Sequence, residues 1–490
     1  MASIVKNFTS LSMAHIINLF FSFVGVTYLA RVLEPTSFGK LSFAVAIISY
    51  FALVSDPGLT TIGVREVARN KKAMKNYLIT ILPLRVVFSF LAFGFLIIFT
   101  NISKLPLENK KLILLYGMTL FPSIFLLDWV YKGLENMWPI GIAEIIRSFI
   151  YVGSILFLIK GPMDIWKVPI IILAFLLAKV LYLWINLRKS NEQKKLNILS
   201  LIRAFFVSKI RAELINFWKN DNGKSSLLRS AFPLFISGIA ITIYTRADMV
   251  MLGFMRSAEE VGFYAVAYKI QFLLLGFYGI FVNILYPVVA RLLSDNKSNS
   301  KAKLILLTKY SFILGIVNFI IVFFGANTII RLIFGQAYIF SVLPLEILIW
   351  QILFAYLNIV PALCLLSIQT REYSIGTWIG AIINIILNLF LIPKFGVNGA
   401  AFATTFSECI ILIYMTSKVK KYFIGNSGLM ELLKIIVIGF GAIIIGVFMH
   451  RIDLVDIIII LVLFLMPLVL LGVVKKEELK YILKGKVKES

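Results

Sequence analysis

Long runs of apolar residues recur along the whole chain, separated by short polar segments. A helix that crosses a bilayer needs about 20 mostly apolar residues, and continuous runs of this length differ from the alternating pattern of a membrane β-strand. The pattern therefore predicts an all-α polytopic membrane protein of about fourteen transmembrane helices. We place them at 11–30, 38–57, 77–99, 112–131, 139–159, 168–187, 229–254, 261–287, 304–325, 343–367, 374–392, 397–416, 432–449 and 455–473.

The composition agrees with lipid as the solvent of this protein. Of its 490 residues, 60% are hydrophobic and 15% are charged, whereas a soluble domain carries about 25% charged residues. The surface of a soluble protein of this size would need far more charge. The chain is therefore expected to be a multi-pass protein of a cell membrane.

The charge distribution predicts both the orientation and one class of partner. The net charge is +25, and the basic residues lie in short clusters between apolar runs, which favours anionic membrane lipids over nucleic acid. With the N-terminus inside, the cytoplasmic loops hold about three times as many Lys and Arg residues as the outer loops. The chain is therefore predicted to have both termini in the cytoplasm.

One long connection divides the predicted helices into two groups. Residues 188–228 interleave apolar and basic side chains, which is typical of an amphipathic helix in the membrane interface. The turns at 31–39 and 256–264 resemble each other, as in secondary transporters built from repeats. We predict an N-terminal lobe at 1–187, the basic linker at 188–228, a C-terminal lobe at 229–417, and two extra helices with a cytoplasmic tail at 418–490.

Charged residues inside the predicted helices are the candidates for function. Each costs about 2.5–3.5 kcal/mol on insertion and normally faces a cavity or a partner. The embedded cations are Arg85, Arg147, Lys179, Arg246 and Lys269, and the candidate coupling or ion-pairing acids are Glu144, Asp248 and Glu408.

The excess of embedded base over acid favours a cationic cavity that receives an anionic group such as a diphosphate. Ion pairing between helices, or snorkelling of side chains near a helix end, is the alternative for each single residue. Glu144 stands three residues before Arg147 on one helix face, so these two side chains are expected to pair.

Other chemistry finds little support in the sequence. Cys364 and Cys409 lack the spacing of metal ligands, as do His15 and His450. There is no GxxxxGK[ST] phosphate loop and no recognisable catalytic set. No metal and no cofactor are predicted, and the chain is expected to be a transporter rather than an enzyme.

Several motifs resemble one known family. Residues 29–39, LARVLEPTSFG, are similar to a turn motif of that family, LAR-x-LGP-x-x-FG. Arg31, Pro35 and Gly39 are retained, and Glu34 stands in place of the usual Gly. The further matching segments are 56–59 with 65–66, 252–253 with 261–267, and 398–401 with 403–404. The chain thus resembles the polysaccharide flippases, the O-antigen and capsule repeat-unit translocases of the multidrug/oligosaccharidyl-lipid/polysaccharide exporter superfamily.

The resemblance implies a fold and a function. It implies two six-helix lobes around a central cavity, followed by two extra helices, in a bacterial or archaeal plasma membrane. It also implies that the protein flips undecaprenyl-diphosphate-linked oligosaccharides to the outer leaflet by alternating access, coupled to a proton or sodium gradient. The glycosyltransferases and polymerase of the same pathway are then candidate partners.

Two other functions remain open from the sequence. A drug or cation antiporter of the same superfamily would need an acid-rich cavity. A membrane glycosyltransferase or polymerase would need catalytic acids at one face of the membrane, whereas the predicted outer loops of this chain are short.

Overall fold

The computed structural model describes residues 2–189, 227–294, 298–423, 426–449, 454–475 and 478. These residues form α-helices and short 3-10 turns, and no β-strand occurs within the described ranges. The predicted amphipathic linker lies almost entirely outside them. The described chain divides into two compact units, Met1–Gly262 and Phe263–Ser490, and each is described by itself below.

Among its described residues, 2–189 and 227–262, the first unit contains nine complete helices. They are α1 (Ala2–Ser55), α2 (Leu59–Arg69), α3 (Met74–Ile102), α4 (Leu107–Gly117), α5 (Leu120–Ile124), α6 (Asp128–Gly133), α7 (Trp138–Leu158), α8 (Lys167–Lys189) and α9 (Leu227–Met255).

The second unit is made from the remaining helices, of which the first begins a few residues before the unit boundary. They are α10 (Ala258–Ser294), α11 (Ser298–Ile333), α12 (Val342–Ile368), α13 (Thr370–Phe423), α14 (Asn426–Phe448) and α15 (Leu454–Leu470).

The helices are long and apolar enough for a membrane. Eleven helical stretches of the described chain could cross a bilayer by length and composition, and Val455–Leu470 is a shorter apolar helix. Large apolar side chains such as Phe90, Phe157 and Leu181 are exposed along these helices, as expected where lipid replaces water. The prediction of an all-α multi-pass membrane protein is confirmed.

Two of these stretches contain a break that lies between two predicted helices. In α1 the break is at Glu34 (φ 61°, ψ 166°), because the following Pro35 disfavours helical geometry in the residue before it. In α13 it is at Gly396 (φ 55°, ψ −130°), a left-handed conformation that glycine adopts without steric cost. The count of fourteen helices and the orientation of the termini stay predictions.

The two turns that resemble each other in sequence pack against one another within the first unit. A Cβ atom on Gly39 would overlap the carbonyl oxygen of Ala258, and a Cβ atom on Gly262 would overlap the carbonyl oxygen of Pro35. Only glycine allows two backbones to approach this closely. Gly39 and Pro35 of the family-like turn therefore serve this close contact.

The core of the first unit lies among α2, α3, α6 and α8. Trp129 is almost completely buried there, together with Leu59, Ile62, Leu78 and Leu183. Tyr131 fixes α6 to α8 because its hydroxyl donates a hydrogen bond to the carbonyl oxygen of Leu183 at 2.8 Å. This packing holds the short helix α6, and with it Asp128, in a fixed place beside α8.

Candidate functional site

A polar face of α7 forms the centre of the candidate site. Pro139 at the first turn suits the start of this helix, where its missing N–H costs no hydrogen bond. Glu144, Arg147, Ser148 and Tyr151 then follow at spacings of three and four residues, which places them on one side of an α-helix. Helix α7 packs against α1 and α8.

Lys179 of α8 joins two carboxylates on different helices. Its Nζ lies 2.7 Å from Oδ1 of Asp128 at the start of α6 and 2.6 Å from Oε1 of Glu144 on α7. The lysine side chain is 7% exposed and each carboxylate side chain is 22% exposed. A charge this deeply buried requires such partners, because an unpaired charge would be strongly disfavoured.

The same glutamate also binds Arg147. Oε2 of Glu144 lies 2.8 Å from Nε and 2.7 Å from Nη2 of Arg147, so the pairing expected from their spacing is present. Arg147 also donates from Nη2 to Oδ1 of Asn18 on α1 at 3.1 Å, and Ser148 donates to the same oxygen at 2.9 Å. One carboxylate is thus shared between two cations on two helices.

Arg85 has a different environment, beside an interruption in the fourth predicted span. Its Nη2 donates to the carbonyl oxygen of Ser123 at 2.8 Å and its Nη1 to that of Leu126 at 3.3 Å. These carbonyls lie where α5 ends and before α6 begins, where regular intrahelical hydrogen bonds stop. The carbonyl oxygen of Ser123 also accepts a hydrogen bond from the N–H of Leu126 at 3.3 Å. Asp56 lies 3.5 Å from Nη2, so Arg85 stabilises the interrupted backbone.

A cavity of about 210 Å³ opens beside Arg147. Its walls come from α1, α4, α7 and α8, all within the first unit. Among the described residues that line it, Arg147 carries the charge, and its side chain is 35% exposed. The lining residues are Asn18, Ser22, Tyr116, Arg147, Ser148, Tyr151, Ile172, Phe175 and Leu176.

The predicted cations therefore fall into distinct environments. Arg147 lines the cavity, and Lys179 is buried and does not line it. Arg85 donates hydrogen bonds to the backbone of the interrupted helix. Each of these cations pairs with a carboxylate: Arg85 with Asp56, Lys179 with Asp128 and Glu144, and Arg147 with Glu144. Ion pairing, the alternative that the sequence left open, is therefore present at all three, and Arg147 also lines the cavity.

The remaining predicted residues do not line this cavity. Arg246 and Asp248 lie on α9 of the first unit, near Tyr50 of α1. Lys269 on α10 and Glu408 on α13 belong to the second unit, where Glu408 is buried close to Tyr278 and Tyr373.

The cavity contains polar residues that sequence reasoning missed. Asn18 and Ser22 are four residues apart on α1, and Tyr116 and Tyr151 add hydroxyl groups from α4 and α7. The spacing of the polar residues on α7 and α1 was a usable signal, because each set occupies one side of an apolar helix.

The second unit contains a buried ion cluster that the sequence analysis also missed. Nζ of Lys309 lies 2.9 Å from Glu431, 2.6 Å from Glu478 and 2.9 Å from the carbonyl oxygen of Val473. Tyr310 donates to the same oxygen of Glu478 at 2.9 Å. Lys309 lies near the start of the predicted helix at 304–325 and is not among the embedded cations named from the sequence.

Two buried asparagines of α13 form a polar chain in the second unit. Asn388 donates from Nδ2 to Oδ1 of Asn384 at 3.0 Å, and Asn384 lies 3.4 Å from the hydroxyl of Thr404. Asn384 and Thr404 lie on opposite sides of the break at Gly396. The chain therefore connects the two segments of α13.

Comparison with known proteins defines the class of fold and then the family. The fold is similar to that of a solved lipid II flippase, MurJ in an inward closed conformation, with a TM-score of 0.71, 15% identity, and coverage of 96% of this chain and 99% of that one. The model of the family described as "Polysaccharide biosynthesis protein" matches residues 4–293. The chain belongs to this family.

Two relatives have names that refer to transport of glycans. A Shigella dysenteriae protein named as an O-antigen transporter is 24% identical over 431 residues, covering 85% of this chain and all of that one. A Haloferax volcanii protein named as a low-salt glycan biosynthesis flippase is 22% identical over 417 residues, covering 83% and 81%. The predicted membership of the polysaccharide flippases is confirmed, whereas the predicted domain boundaries and site residues stay predictions.

Proposed function

We propose that this protein moves a lipid-linked oligosaccharide from the cytoplasmic leaflet to the outer leaflet of a bacterial or archaeal cell membrane. The family, the polytopic fold and the names of the relatives support this function. The observation that carries it is Arg147, an arginine within a membrane-spanning bundle whose guanidinium lines a polar cavity.

The chemistry of the cavity suits an anionic head group joined to a sugar. A guanidinium contacts phosphate oxygens through paired N–H donors. The hydroxyl and amide groups of Ser22, Ser148 and Asn18 suit sugar hydroxyls, and the rings of Tyr116 and Tyr151 suit the apolar face of a sugar. We therefore assign Arg147 to the diphosphate of an undecaprenyl-diphosphate carrier.

The size of the cavity limits what it can hold. A volume of about 210 Å³ lies below the roughly 300–1,000 Å³ of pockets for drug-sized ligands. It accommodates a phosphate group or one sugar ring, but not a whole oligosaccharide with its lipid. In this proposal the lipid tail stays in the bilayer and alternating access carries the head group across.

Coupling and partners complete the proposal. A proton or sodium gradient drives the cycle, with Glu144, Asp248 and Glu408 as the candidate coupling acids. Anionic membrane lipids bind the basic loops, and glycosyltransferases and a polymerase of the same pathway supply and consume the substrate. Arg246 and Lys269 stay candidate ligands of the head group, each within its own unit.

An anionic substrate fits this cavity better than a cationic one. A drug or cation antiporter needs acids that face its substrate, whereas the cavity presents Arg147 and keeps Glu144 engaged with two cations. The relatives are named as transporters and flippases rather than transferases.

A reconstituted flipping assay tests the proposal. Proteoliposomes would contain undecaprenyl-diphosphate-linked oligosaccharide, and an added sugar-modifying reagent that cannot cross the bilayer would report outer-leaflet sugar. Wild-type protein should accelerate exposure, and Arg147→Ala should lower the rate by about tenfold or more, since a hydrogen bond to a charged group contributes about 1.5–3 kcal/mol.

A matched control is Lys71→Ala, which removes an exposed cation of the same unit that is paired with Glu135. This variant should flip at the wild-type rate. Absence of flipping by wild-type protein would overturn the proposed function. Normal flipping by Arg147→Ala would show that the cavity beside Arg147 is not the substrate site.

A further inference from the structure

The carboxylate of Glu144 is divided between two cations that differ in access. Oε2 contacts Arg147, which lines the cavity, while Oε1 contacts Lys179, which is buried and does not line the cavity. Lys179 also contacts Asp128 at 2.7 Å. An anion in the cavity can reach the guanidinium of Arg147, and it then competes with Oε2 of Glu144 for the same N–H groups.

Displacing the carboxylate of Glu144 from Arg147 is unfavourable in free energy if that carboxylate has no other partner. A carboxylate left unpaired inside a membrane protein would be strongly disfavoured, and it would tend to recapture Arg147. Lys179 removes this difficulty because it already contacts Glu144 at 2.6 Å. Asp128 on the fixed helix α6 holds the lysine in position from its other side.

We propose that Lys179 and Glu144 form a latch on Arg147, in which an incoming phosphate displaces Glu144 from Arg147 and Lys179 retains the displaced carboxylate. Lys179 is thus a positioning residue that acts through Glu144 rather than a direct ligand of the substrate. The inference rests on the proposed function for the identity of the anion. It assigns different roles to two cations that sequence analysis placed together in one binding set.

The latch predicts effects of opposite sign on anion binding. Glu144→Gln removes the competing charge and should bind geranyl diphosphate, a soluble prenyl diphosphate probe, about fivefold more tightly, as expected for a partly exposed ion pair of about 1 kcal/mol. Lys179→Met leaves Glu144 to Arg147 alone and should bind the probe about fivefold more weakly. Binding would be measured by calorimetry on purified full-length protein in detergent.

A double-mutant cycle separates the positioning role from direct contact. If Lys179 acts through Glu144, Lys179→Met should change affinity by less than about twofold when Glu144→Gln is already present. An equal loss in both backgrounds would show that Lys179 binds the probe itself and would overturn the latch. Weaker binding by Glu144→Gln would overturn it independently, so a single folded variant is sufficient for a test.

The matched control is Glu108→Gln, which neutralises a lysine-paired glutamate at the surface of the same unit. It should bind the probe with wild-type affinity. The flipping assay adds a second readout, because Glu144→Gln should transport more slowly while binding more tightly. If the two variants change probe affinity with these signs but wild-type protein does not flip lipid-linked oligosaccharide, the proposed function fails and the latch stands.

Discussion

Each unit of this protein buries a lysine between two carboxylates, yet the two clusters differ in one respect. Lys309 of the second unit is 0% exposed, and its Nζ contacts Glu431, Glu478 and the carbonyl oxygen of Val473. Lys179 of the first unit contacts Asp128 and Glu144. One of these carboxylates is shared with an arginine that lines a cavity.

The difference shows how similar ion clusters can serve different purposes. The contacts of Lys309 join α11, α14 and the segment after α15, so this cluster fixes the last helices to their own unit. Lys179 contacts Glu144, which in turn contacts Arg147, and a ligand in the cavity can reach Arg147. We therefore expect the Lys309 cluster to determine stability and the Lys179 cluster to determine transport.

The largest expected effect is on the stability of the second unit. Lys309→Met would leave two carboxylates without their shared cation, and breaking a buried pair costs about 3–5 kcal/mol. We expect about 3 kcal/mol, the lower end, because Glu431 and Glu478 keep some contact with solvent. Thermal unfolding in detergent should show a clear fall in the midpoint.

The control for this prediction is Lys418→Met, which breaks a more exposed pair with Glu372 in the same unit. A solvent-exposed ion pair contributes little to stability, so the unfolding midpoint of this variant should change little. Equal shifts for the two variants would contradict a special role for Lys309.

A smaller loss is expected for Lys179→Met. Asp128 loses its cation, but Glu144 keeps Arg147, so about 1–2 kcal/mol of unfolding free energy should be lost. The same unfolding measurement would compare this variant with Lys309→Met. A greater loss at Lys179 than at Lys309 would reverse the comparison between the two clusters.

The smallest effect on stability is expected for Arg147→Ala. Glu144 remains paired with Lys179 at 2.6 Å, and the arginine is partly exposed, so the loss should be below about 1 kcal/mol. The unfolding midpoint should stay near that of wild type although transport falls. A midpoint as low as that of Lys309→Met would mean that Arg147 is a structural residue.

The apolar pattern was sufficient to predict the class of fold and much of the helix placement. Even the breaks within α1 and α13 lie where the predicted helices are separated. Pro35 disfavours helical geometry in the residue before it, and Gly396 allows a positive φ, so both breaks depend on the local sequence. The pairing of Glu144 with Arg147 was also accessible, since both residues lie on one helix at a fixed spacing.

Contacts between helices were not accessible from this pattern. Lys179 and Asp128 are separated by 51 positions, and no periodicity along one helix shows which side chains meet across a bundle. Lys309 lies near the start of a predicted helix, and hydropathy locates a helix end only to within a few residues, so its burial could not be predicted. Asn18 and Ser22 are uncharged, so the embedded charges alone did not indicate the polar side of α1.

A cryo-EM structure of the protein with geranyl diphosphate bound tests the central claim most directly, because it shows which group holds the phosphate. We expect phosphate oxygens within hydrogen-bond distance of Arg147, with Glu144 released from the guanidinium and still in contact with Lys179. A bound diphosphate located away from Arg147, or one that leaves Arg147 and Glu144 paired as they are now, would contradict the account.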